Sequence, residues 1–71
     1  MKIYGYSNNT NEEPMELNEV TISSNPNSLR KISEFLLKCA EEIEKNNEWE
    51  HEHLPSQNEE PKLIVFNENA K

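Results

Sequence analysis

The sequence predicts an α+β fold of the ββαββ kind: a four-stranded, mainly antiparallel sheet with one helix packed on one face. Three observations carry this. A single amphipathic stretch near the middle has helical spacing; short alternating segments flank it on both sides; and proline- or asparagine-rich breaks separate them. The chain has 71 residues, enough for one small domain over residues 1–71. At this size folding buries only about 60–65% of the surface exposed by the unfolded chain, so the core must be thin.

Residues 2–6 read as the first strand, with Ile3 and Gly5 on one side and Lys2, Tyr4 and Tyr6 on the other. Residues 7–13 are a polar loop. Residues 15–23 read as a second strand whose phase changes: Met15 and Leu17 are odd, Val20 and Ile22 even. A bulge near Asn18 and Glu19 reconciles the halves. Ser24-Asn25-Pro26 starts a helix: Asn25 or Ser24 caps the first free N–H groups and Pro26 fits the first turn. Leu29, Ile32, Leu36, Cys39, Ala40 and Ile43 form one apolar stripe, flanked by Phe35. Glu34–Lys38 and Glu41–Lys45 have the favourable i,i+4 order. Asn46-Asn47 is expected to end the helix through a left-handed residue, after a length of about 31 Å. A single stripe covers one sheet face and leaves the other in water. Residues 48–54 alternate as a third strand. Residues 62–67 form a fourth, whose apolar run suggests an interior position. Loop 55–61 and tail 68–71, like loop 7–13, are expected to be flexible.

The formal charge is −7, with 14 acidic residues, every one Glu. The helix is balanced, so the acidity sits on the flanking strands and loops. Such a field repels nucleic acid and anionic membranes and favours cationic partners. Cys39 is the sole cysteine, which excludes an intrachain disulfide and fits a reducing compartment. With no apolar run near the ~20 residues of a membrane span and no signal-like N-terminus, the expected location is the cytoplasm.

Glu48-Trp49-Glu50-His51-Glu52-His53-Leu54 is the most unusual stretch. On a strand Trp49, His51 and His53 share one face, and Glu48, Glu50, Glu52 and Leu54 the other. Unpaired carboxylates under the helix are costly, so the Trp/His face is expected to turn toward the helix. The histidines then have three readings: partly buried structural groups at the core rim, a partner contact sensitive to pH, or a His-x-His metal pair, the weakest because zinc wants two further ligands. No cofactor is expected. Catalysis has little support either. There is no Asp, the single glycine excludes a glycine-rich phosphate loop, and Cys39 lies in an apolar stripe where a small hydrophobe is the usual role. Tyr4, Tyr6, Glu48, Glu50 and Glu52, with either Ile64 and Phe66 or Leu63 and Val65, are expected on the open face. Aromatic groups among carboxylates there suit a basic protein partner. Homodimerisation through the same face or an edge strand, and an ordinary solvated sheet face with scattered apolar residues, are the alternatives.

The helix SLRKISEFLLKCAEEIEKNN, followed by Glu50-His51-Glu52-His53 and then by Leu63-Ile64-Val65, resembles a family of small bacterial immunity proteins from polymorphic toxin systems, immunity protein 32. The resemblance covers about two-thirds of the chain. It implies a cytoplasmic protein that neutralises a cognate toxin by binding it, and it transfers no partner-binding residues. A homodimeric structural or regulatory protein and a His-based metal-binding module are the competing classes.

Overall fold

The structure, a computed structural model, describes residues 1–7, 13–55 and 61–70. Loops 7–13 and 55–61 therefore fall largely outside the described residues, as does Lys71. The elements follow in the order β1 (Ile3–Gly5), β2 (Met15–Leu17), α1 (Pro26–Lys45), β3 (His51–His53) and β4 (Ile64–Phe66).

The four strands do not make one sheet. β1 pairs antiparallel with β2, placing Ile3 opposite Leu17 and Gly5 opposite Met15. β3 pairs antiparallel with β4, placing His51 opposite Phe66 and His53 opposite Ile64. These are two separate two-stranded sheets. The expected four-stranded sheet is corrected to a pair of hairpins, and β4, paired on one side only among the described residues, is not an interior strand there. The cause lies in β2. Its ladder stops at Leu17, and the phase change read as a bulge is the end of the strand. Beyond it Val20 and Ile22 are about half exposed, with no regular structure before the helix.

The helix starts as its sequence dictates. Asn25 is the N-cap, in extended geometry, and its Oδ1 accepts from Ser28 N at 2.9 Å. Its carbonyl accepts the first helical bond, from Leu29 N at 3.0 Å. Pro26 has no N–H to leave unsatisfied at the first position. Lys45 in the last turn complements the negative helix end. The C-terminus departs from expectation. Asn46, at φ −147° and ψ 99°, is extended rather than left-handed. It stops the helix with its other groups: its N–H still reaches Glu42 O, its Oδ1 accepts from Glu48 N at 3.0 Å, and its carbonyl accepts from Trp49 N at 3.0 Å. The chain thus turns back on itself within three residues. Neither Glu34–Lys38 nor Glu41–Lys45 closes to an ion pair among the described residues.

The core is as thin as the length requires. Phe35 (8% exposed) and Cys39 (3%) are the buried apolar residues among those described. Ile32, Ile43, Trp49, Leu54, Leu63 and Val65 are half-buried around them. Phe35, expected to flank the apolar stripe, is its centre, and Leu36, expected within it, is 46% exposed. Ile32, Cys39 and Ile43 keep their place, so the buried face is the side of the expected stripe that carries Phe35.

Candidate functional site

The β3–β4 hairpin carries most of the residues singled out from the sequence. Its ladder continues past the strand ends through Leu54 N→Leu63 O and Asn67 N→Glu50 O, both 2.9 Å. Directly opposed residues share a face. Glu50, Glu52 and Leu54 therefore lie on the side of Asn67, Val65 and Leu63, while His51 and His53 lie on the side of Phe66 and Ile64. The first side is the interior one: Leu54, Leu63 and Val65 are half-buried and Asn67 is buried, whereas Ile64 and Phe66 are exposed. The expectation that both histidines face the helix is thus corrected for His51; His53, although opposite Ile64, still borders the space between the hairpin and the helix. Leu63 and Val65 decide which face turns inward. The carboxylates sharing that face avoid the desolvation cost by staying exposed at the hairpin rim. Trp49 does approach the helix, because the turn at Asn46 delivers it there before the strand begins.

The outer face is an aromatic–imidazole patch. The His51 ring stacks on Phe66, with centroids 4.8 Å apart and planes 14° from parallel. His53 meets His51 edge-on at 5.3 Å. His51 Nδ1 lies 3.1 Å from Glu50 Oε1, within hydrogen-bond distance. Phe66 is 63% exposed, although its ring covers the imidazole. Tyr4 and Tyr6 are also exposed, but they belong to the other hairpin, Tyr4 standing opposite Glu16. Glu48 is exposed on the link between α1 and β3.

On the other side of β3, between the strand and α1, lies an open cleft of about 310 Å³. Phe35, Lys38, Cys39 and Glu42 line it from the helix; Trp49, Glu52, His53 and Pro55 close the opposite wall. The helix residues follow the 3-1-3 spacing of one face, so this wall was readable in the sequence. Burial pushes the Cys39 thiol above its ordinary value of 9.0, and Glu52 and Glu42 add to the rise against the opposing charge of Lys38. A protonated, 3% exposed thiol is a packing group here. Among the described residues, no three His, Cys, Asp or Glu side chains gather in a way that could hold a metal. The His51–His53 pair therefore has no third ligand among them.

Asn67 is the residue whose role the sequence reading missed, since it was placed at the end of the fourth strand, next to the tail. It is 6% exposed. Its Nδ2 donates to Asn47 O (3.1 Å) and Trp49 O (2.9 Å), and its Oδ1 accepts from Asn69 N (3.1 Å). Its carbonyl accepts from Ala70 N at 3.0 Å. Residues 67–70 are thereby folded into a turn. The amide clamps the end of β4 to the segment that carries Trp49 and so sets the position of the cleft wall.

The fold and its surface define a small α+β protein with one imidazole–aromatic patch and one carboxylate-rimmed cleft. The family model described as immunity protein 32 matches residues 19–67, and the chain belongs to that family. The match spans β3, β4, the whole of α1 and both features of the hairpin. Searches of curated proteins and of solved structures found no match. Among the described residues no helix is long and apolar enough to cross a membrane.

Proposed function

We propose that this chain is an immunity protein that neutralises a cognate toxin by binding it in the bacterial cytoplasm, without a catalytic step of its own. Family membership over residues 19–67 carries the reading. The partner, in this proposal, presents a basic surface such as the substrate groove of a nuclease. The formal charge of −7 favours such a partner and disfavours nucleic acid and anionic membranes. Exposed Glu48, Glu50 and Glu52 lie along one hairpin arm, and Tyr4, Tyr6, His51, His53 and Phe66 offer the aromatic area from which interface anchors are drawn.

The test is affinity capture of the tagged protein from its source cells at low salt, followed by binding measurements on what is recovered. Recovery of a basic toxin domain, whose toxicity the protein suppresses on co-expression, is the expected result. Replacing Glu48, Glu50 and Glu52 together by Gln should then weaken binding and flatten its salt dependence. Unchanged affinity and unchanged salt dependence would remove the acidic arm from the interface. Homodimerisation is a second reading, favoured by the outer edges of β3 and β4, which are unpaired among the described residues, and by exposed Ile64 and Phe66. Light scattering separates it from a monomer.

A further inference from the structure

We infer that the cleft between α1 and β3 is the seat for one basic side chain of the partner protein, an arginine above all; this rests on the toxin-binding reading and names the chemistry by which that binding is anchored. At about 310 Å³ the cleft is at the bottom of the range that holds small ligands, roughly 300–1,000 Å³. It suits a side chain better than a cofactor. Its lining is that of a cation receptor. Trp49 and Phe35 supply aromatic surface, and Glu42 and Glu52 supply carboxylates.

Neither carboxylate has an ion-pair partner among the described residues. Glu42 is moreover half-buried, so it has lost some water without gaining a counter-charge. An entering cation would repair that deficit. A guanidinium serves both walls at once, because its plane stacks on an indole while its edge donates to a carboxylate. Lys38, also in the lining, works against the guest. His53 lines the cleft as well; with histidine counted neutral, two carboxylates against one ammonium leave the cleft negative, inside a chain already at −7. Burial is the first cause of the raised Cys39 thiol; among the charges, Glu52 raises it more than Lys38 lowers it, and Glu42 raises it further.

Trp49 is the sole tryptophan, so the indole reads the cleft directly. The full chain is titrated with N-acetyl-arginine amide and, separately, with its neutral isostere N-acetyl-citrulline amide. The Trp49 indole N–H resonance is followed by NMR. Arginine should give a saturable shift with Kd on the order of 10 mM, the strength of one cation–π contact plus one solvated charge pair, and citrulline should give none. Glu42→Gln and Glu52→Gln should each weaken arginine binding several-fold. Lys38→Gln should tighten it, a change of opposite sign that misfolding cannot produce. Equal shifts with citrulline, no saturable shift with arginine, or Gln variants that bind like the wild type would overturn the assignment. Loss of the cleft and loss of the toxin reading remain distinguishable. A captured toxin alongside a silent arginine titration rejects only the cleft; a clear titration with no toxin captured rejects only the immunity role.

Discussion

Asn67→Ala removes a side chain that holds two remote segments together. The folded chain loses three hydrogen bonds: Nδ2 to Asn47 O and to Trp49 O, and Asn69 N to Oδ1. At roughly 0.5–1.5 kcal/mol net for each, the sum is about 3 kcal/mol. Both carbonyls are only partly buried and recover some water, which keeps the cost from going higher. A domain of this size has on the order of 4–10 kcal/mol in all, and a core with two buried apolar residues among those described belongs at the low end. The substitution should therefore remove a third or more of the stability. With a urea m-value of about 1 kcal/mol/M, the midpoint should fall by about 2–3 M. Trp49 fluorescence and far-UV circular dichroism follow the same transition from inside and outside the clamp. Asn67→Asp sharpens the test, because it keeps the shape and turns an N–H donor into a carboxylate facing two carbonyl oxygens. Burial and that repulsion raise the new carboxyl's folded pKa above its unfolded value. Its favourable, protonated form is then fully present at low pH, and stability is lost as pH rises through the folded pKa. Asn67→Ala should show no such dependence. A midpoint within about 0.5 M of wild type for the Ala variant, or an Asp variant as stable as wild type at pH 7, would refute the clamp.

Two further outcomes follow from the helix. Asn25→Ala deletes the acceptor for Ser28 N and should cost about 1 kcal/mol, with Asn25→Ser close to wild type, both read by urea melts. The Cys39 thiol, raised above 9.0 by burial first and by Glu52 next, should react with a disulfide reagent at pH 8 at least about a hundredfold more slowly in the native chain than in urea. Its folded pKa exceeds its unfolded one, so stability should be level below pH 9 and fall above it, a slope that Cys39→Ala should reduce.

The helix was legible because its signals are local. Asn25 and Pro26 cap it by the geometry of adjacent residues, and Ile32, Cys39 and Ile43 share a face by spacing alone. The short strands around Ile3, Met15, His51 and Ile64 were legible for the same reason, as was the acidity of the flanks. Their ends and their assembly were not. Periodicity says that residues 15–17 alternate, but it cannot say that the ladder stops at Leu17 or that β1–β2 and β3–β4 form separate sheets. Pairing depends on which strand edges meet in space.

The facing of the hairpin shows the same limit. Taken alone, residues 48–54 favour turning Trp49, His51 and His53 inward and the glutamates outward. Leu63 and Val65, in the next strand, reverse that choice for His51, because the register aligns the interior side of β4 with Glu50, Glu52 and Leu54. Asn67 carried no signal of its role, since a polar residue closing an apolar strand reads as exposed. Only the tertiary structure brings the carbonyls of Asn47 and Trp49 within reach of its amide. The sequence by itself determined the element types, the helix limits, the charge and the resemblance to the family. The tertiary structure decided the strand partners, the inward face and the cleft, because each is set by contacts between residues far apart in the chain.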